Sequence, residues 1–282
     1  MTVRAGVSVL LLGVATTLGN AAEGRIPIWR PTVITQPGSY IVTRNIGTTA
    51  CGSSDPISID IQSDDVDVDL NGFTLYCGEP VIRVTGGSRV TIRDGQVVGY
   101  EDGLAATNTR SLALLRLKIQ SNEDVAVNLS NVNQGVVEAV RLYFAGSGLI
   151  VTGSNVDIRH NEILGLSGSG TGISANCAGC RLSGNSLSDS HIVVAGSGNL
   201  VSDNVVSGGF EGLRVDGNRN HIEGNVLTDN SSFGLRLTGS NNVYRRNTAQ
   251  GNAGAGCGAN VDFCDSGASN RSANDNFMPT QL

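Results

Sequence analysis

GLRVDGNRNHIEGNVLTDNSSF, residues 212–233, reads as one turn of a coil. Leu213 and Val215 fall on one side of a short extended run and Arg214 and Asp216 on the other, the period-two pattern of a strand buried on one face. Gly217 and Asn218 interrupt that run, and a second passes through Ile222. Asn225 then makes a tight corner, Val226 and Leu227 start a third run, and Asp229 to Phe233 close the turn. Asparagine tolerates left-handed backbone and bonds neighbouring backbone through its side chain, so it suits a corner. The 38 glycines of the chain serve the same corners, because only glycine takes positive φ without steric cost.

The corner recurs along the chain. Asn161, Asn185, Asn204, Asn225 and Asn247 share the frame apolar-x-x-Asn-x-apolar, at spacings of 24, 19, 21 and 22 residues. The frame continues backwards, without the ladder asparagine, around Val140, Leu117 and Gly95 to Asn71. A fixed period near 22 residues means stacked coils. Helical repeats do not fit, since the apolar residues alternate at period two in short runs. Three strands per coil, each paired with its counterpart one coil on, predict an all-β, single-stranded solenoid of about nine coils: a right-handed parallel β-helix. Its hand follows the usual chirality of parallel crossovers. Nine coils at ~4.8 Å give a rod about 43 Å long. Amides at superposed corners bond one another up the column, which explains why the asparagine is kept. Aromatic residues are 4% of the chain, in keeping with a narrow core of Val, Ile and Leu.

The ends divide the chain. Residues 1–21 carry Arg4, an apolar stretch from Ala5 to Leu18 and the small-residue site Gly19-Asn20-Ala21, the pattern of a signal peptide rather than a membrane anchor. Residues 22–50 are expected to cap the open end of the rod, 51–250 to form it, and 251–282 to close it. Export places six cysteines in an oxidising compartment. Cys51 and Cys77 hold nearly the same place in successive coils and suit a staple, and Cys257 with Cys264 suits a terminal loop. Cys177 and Cys180 form a C-x-x-C at a corner. Without a second ligand pair nearby, that motif reads as a disulfide rather than as a zinc or redox site. A secreted or periplasmic monomer, not inserted in a membrane, is expected.

A formal charge of −6 with no basic patch or aromatic stacking series argues against nucleic acid and against anionic lipid. The mean field also repels an acidic polysaccharide, so a local Arg/Lys patch or a bound cation would be needed to hold one.

ITQPGSYIVTRNI, SDDVDVDLNGFTLYC and GSRVTIRDGQVVGYEDGLA together resemble the opening of small secreted β-helix proteins of the pectate-lyase-like superfamily. NosD-type periplasmic proteins share the repeat. The resemblance spans essentially the whole chain beyond the signal segment and implies fold and export. The superfamily includes pectate lyases, polygalacturonases and alginate epimerases alongside members with no known activity, so fold alone does not give function. The N-T-D, G-H-G and R-I-K blocks of polygalacturonase-like members and the D-P-H block of the epimerases are absent from this chain.

Three groups of residues are candidates for chemistry. The leading-strand face is expected to read Asp60, Arg83, Ala105, Ala126, Ile150, Ser174, Val193, Arg214, Arg236, small and apolar in its middle. Just before the first leading strands stand Asp55, Glu79, Asp102 and Asp124, flanked by Glu101 and Glu123, and register stacks them about 5 Å apart. Like charges at that spacing must take up protons, hold a cation or splay into water. Glu79, Asp102 and Asp124 are thus candidate ligands for calcium, a hard, oxygen-seeking ion. Arg83 is then a counter-ion or base and, with Asp102 and Asp124, a candidate catalytic residue in a calcium-dependent lyase. The plainer reading is a set of solvated turn acids. On the third-strand face, Lys118 and Arg141 can grip sugar carboxylates while Tyr143 offers a stacking surface; the plainer reading is a charged ladder with Arg141 paired to Glu162. His160, His191 and His221 do not converge and read as solvated turn residues.

These features lead to a secreted β-helix that binds an acidic polysaccharide on a flat sheet face. The alternatives are a calcium-assisted lyase of uronate glycans, a non-enzymatic surface or matrix protein, and a helper in periplasmic metal-centre assembly.

Overall fold

The computed structural model describes residues 24–47, 55–121, 123–144, 146–165, 170–253 and 262–278. Among these residues every regular element longer than a turn is a strand, and all strand pairing is parallel. The chain winds as a right-handed β-helix with three faces. Leading strands stack from Ile59–Ile61 through Ile82–Thr85, Leu104–Thr107, Val125–Asn133, Ser147–Ser154, Thr171–Ala178, His191–Val194 and Leu213–Val215 to Leu235–Leu237, with register shifts where Val125–Asn133 meets Ser147–Ser154 and where Thr171–Ala178 meets His191–Val194.

Alternation along each strand fills the tube. Ile59, Ile82, Leu104, Val127, Leu149, Ile173, Ile192, Leu213 and Leu235 form one inward column, each with essentially no solvent exposure. Ile222 and Leu227 supply the other two walls of the rung that Leu213 begins. Burying such a side chain stabilises the fold by about 1.5–3 kcal/mol. A charge at any of these positions therefore breaks two coil interfaces at once.

The end segments continue the winding instead of lying outside it. Thr32–Ile34 pairs with Ile59–Ile61, Gly38–Val42 with Val66–Asp69, and Ile46 bridges Leu75. Ile26–Ile28 lies over Gly38–Val42 as a further strand. At the other end Phe263–Asp265 pairs with Leu235–Leu237, and Phe277 bridges Thr248. These segments depart from the sequence frame because long turns separate their strands, but they still satisfy the edge hydrogen bonds of the coil beneath.

The corner asparagines superpose, but not as left-handed residues. The positive φ falls one residue earlier, at Ala139, His160, Gly184, Asp203, Gly224 and Arg246. The asparagines that follow are buried. Oδ1 of Asn185, Asn204, Asn225 and Asn247 each accepts from the backbone N–H of the previous coil's asparagine at 3.0–3.1 Å and from its side-chain amide at 2.9 Å, while Asn161 Oδ1 accepts the Val140 N–H at 2.9 Å. Asn276 extends the column beyond Asn247. Two more ladders mark the other corners. Asn199, Asn220, Asn242 and Asn270 form one, and Asn230, Asn252 and Asp262 the other.

Cys177 and Cys180 are joined by a disulfide. Cys77 and Cys264 are also disulfide-bonded, while Cys51, Cys257 and residues 1–21, expected to be a signal peptide, lie outside the described residues. Among the described residues no helix is long and apolar enough to cross a membrane.

Candidate functional site

The third-face residues come together as register requires. Lys118 pairs with Arg141 across neighbouring strands, Arg141 with Glu162, and Gln120 with Tyr143. The Lys118 ammonium sits 5.3 Å from the Tyr143 ring centroid, a cation–π contact. Arg141 donates Nε–H to Glu162 Oε2 at 2.6 Å, so the charged ladder also forms. Both partners of that pair are exposed, and its net worth is small.

This patch opens into a groove of about 420 Å³ lined by Arg116, Lys118, Val140, Arg141, His160 and Glu162, among others. Hollows of about 350 and 320 Å³ adjoin it and share His160. They carry the depression across successive coils, past Gly184 and Ser186. The groove follows the corner between the second and third faces, where the left-handed residues Arg116, Ala139, His160 and Gly184 bend the chain. His160 is thus a groove residue, although its place in the sequence marks it only as a turn polar residue. Arg116 is held by both oxygens of Asp94 at 2.6 and 2.8 Å. Lys118, the only lysine of the chain, has no carboxylate partner among the described residues.

The leading face differs from expectation at one rung. Ala105 pairs with Asn128, which pairs with Ile150, whereas Ala126 is buried. An extra residue in the turn before Val125 displaces the strand start. Arg83 is not the counter-ion of the acidic turn residues. Its Nε and Nη2 donate to the two oxygens of Asp60 at 3.0 and 2.6 Å. That fork raises the arginine above its ordinary pKa and holds the Asp60 carboxyl below the usual range. A guanidinium so held is poorly suited to take a proton.

The acidic turn residues do gather. Burial pushes the Glu79 carboxyl up, and Glu101, Asp55 and Glu123 add to the rise. Burial likewise raises Asp102, opposed by the Val125 N–H that bonds its Oδ1 and reinforced by Asp124 and Glu101. The Tyr100 hydroxyl is raised first by its hydrogen bond to Glu123. The cluster is therefore real, but among the described residues no three His, Cys, Asp or Glu side chains are set to hold one metal ion.

His191 also departs from expectation. It is buried, its Nε2 lies 3.2 Å from Thr171 Oγ1, and burial lowers its pKa.

Residues 55–191 and 126–274 match the family described as the right-handed beta helix region. The protein belongs to that family. No curated protein sequence matches it. Among solved structures it is similar to the catalytic unit of a GH87 α-1,3-glucanase from Streptomyces thermodiastaticus, with 14% identity and a TM-score of 0.44 over 89% of this chain and 64% of that one. It is also similar to a periplasmic alginate epimerase, at 12% identity and a TM-score of 0.36 over 86% and 79% of the two chains. A pectate lyase gives 13% and 0.36 over 89% and 72%. The chain spans less than two thirds of the glucanase unit, and these likenesses concern the fold alone.

Proposed function

We propose that the protein is an exported binder of acidic polysaccharide, which it holds along the corner groove between its second and third faces. Lys118 and Arg141 meet the acid groups, and Tyr143 packs against a sugar face. The observation that carries this reading is Lys118. Arg116 and Arg141 have carboxylate partners on the protein, whereas the lone lysine stands beside an aromatic ring at the edge of an open groove. A chain carrying net charge −6 repels a polyanion in general, so a local cation with no carboxylate partner among the described residues has a large share in deciding where one docks. The groove crosses several coils, which suits an extended polymer more than a small ligand.

The bonded state of Cys77, Cys177, Cys180 and Cys264 fits an oxidising compartment, in keeping with export. The Arg83 guanidinium, held in a fork by Asp60, is poorly placed to act as a base, which favours binding over bond cleavage. Retention of the protein on immobilised polygalacturonate, alginate and glycosaminoglycan tests the reading, with unsaturated products followed in the same incubations. Retention without products supports a binding module. Products make it a lyase, and failure to bind every acidic glycan returns it to a structural or matrix role.

A further inference from the structure

Glu211 is 1% exposed and sits where the turn enters the leading strand Leu213–Val215. A carboxylate removed from water costs several kcal/mol unless its lone pairs are met. Here Oε1 accepts a hydrogen bond from Arg236 Nη1 at 2.9 Å, while the enclosed Oε2 accepts none. The other cation beside it, Arg214 Nη1, is 3.8 Å from Oε2, beyond hydrogen-bond range.

A purely structural pair would close the fork. That is what Arg83 does with Asp60, Arg89 with Asp65 and Arg116 with Asp94, each through Nε and Nη2. Arg214 instead gives only Nε to Asp216, and Arg236 gives only Nη1 to Glu211. A guanidinium carries five N–H donors in a fixed fork that matches carboxylate and sulfate oxygens. Register pairs Arg214 directly with Arg236, so the two stand one strand spacing apart, about 4.8 Å. Their side chains are 37% and 38% exposed. The buried Phe233 ring lies 5.7 Å from the Arg236 guanidinium, and Phe210, the chain neighbour of Glu211, is 52% exposed.

We propose that Arg214 and Arg236 form an oxyanion-recognition site on the leading face, built over the buried Glu211, for the carboxylate or sulfate group of an acidic saccharide whose ring packs on Phe210. Glu211 sets the position of Arg236, and Asp216 that of Arg214. The site lies on a different face from the corner groove and stands whether or not that groove binds. With both in use, one rod engages two acidic chains.

The test uses the full chain carrying Lys118→Ala and Arg141→Ala, so that the corner groove does not contribute. Hexagalacturonate supplies carboxylates alone, and a κ-carrageenan hexasaccharide supplies sulfates alone. Calorimetric titration is expected to show binding of at least one of them. Arg214→Gln should weaken it about tenfold or more, the scale of a lost charge-assisted hydrogen bond. Arg214→Lys keeps a charge beside Glu211 and should weaken binding with an unchanged melting temperature. Which ligand binds identifies the oxyanion. Binding of neither, or equal affinity in the presence and absence of Arg214, overturns the proposal.

Discussion

Asn185 donates both its backbone N–H and its side-chain amide to Oδ1 of Asn204, one coil further on, at 3.1 and 2.9 Å. Asn204 in turn donates its amide to the carbonyl of Leu182 at 3.0 Å. One buried side chain thus satisfies two donors and one acceptor across a coil interface.

Replacing it shows what the ladder is worth. Asn204→Ala leaves those groups unmet inside the rod and is expected to cost about 3 kcal/mol, since each orphaned buried group costs roughly 1–3 kcal/mol. Denaturant unfolding measures it. A loss below about 1 kcal/mol would mean that water reaches the corner.

The acidic turns predict an unusual pH response. Glu79 and Asp102 have folded-state pKa values raised above the ordinary 4.5 and 3.8. Their contribution to stability is therefore fully present below those ordinary values and is lost as pH rises through the raised ones. Asp60 and Asp94, lowered first by Arg83 and Arg116, act oppositely. Their contribution is present above 3.8 and is lost as pH falls through the depressed values.

Asp124→Asn removes one of the charges that raise Asp102. It should increase the melting temperature at pH 7, with a gain that shrinks toward the acidic side. Calcium and magnesium should raise the wild-type melting temperature equally, as screening ions. A rise specific to calcium would place an ion among Glu79, Asp102 and Asp124.

The Cys177–Cys180 disulfide closes a very short loop. By loop-closure entropy it stabilises by only about 2 kcal/mol. Cys180 Sγ also accepts the Val156 N–H at 3.3 Å. The double variant Cys177→Ala, Cys180→Ser should therefore melt only modestly lower and stay folded. Loss of the cooperative transition would show that this corner nucleates the rod.

The fold was legible because inward apolar residues and the Asn161-to-Asn247 frame repeat against a contrasting background. The other two ladders carry no such contrast in the sequence. Asn199, Asn220, Asn242, Asn230 and Asn252 stand in turns already rich in Gly, Ser and Asn, where one more asparagine carries no contrast. The repeat frame points to Ala126 as the outward residue of its rung, but a longer turn before that strand gives the place to Asn128, which pairs with Ala105, and Ala126 is buried. Lys118, Arg141 and Tyr143 could be aligned because their strands keep step with the frame. His160 and Glu211 could not. One is a left-handed corner residue and the other sits in a turn, and turn geometry is not written in a periodicity.

The central claim is that a polyanion docks at Lys118. Charge reversal tests it most directly: affinity for polygalacturonate fragments is measured for wild type and for Lys118→Glu at low and moderate salt. Wild type should bind, more weakly as salt rises, and Lys118→Glu should lose about tenfold or more of that affinity while melting at the wild-type temperature. Equal binding by the two proteins would contradict the account.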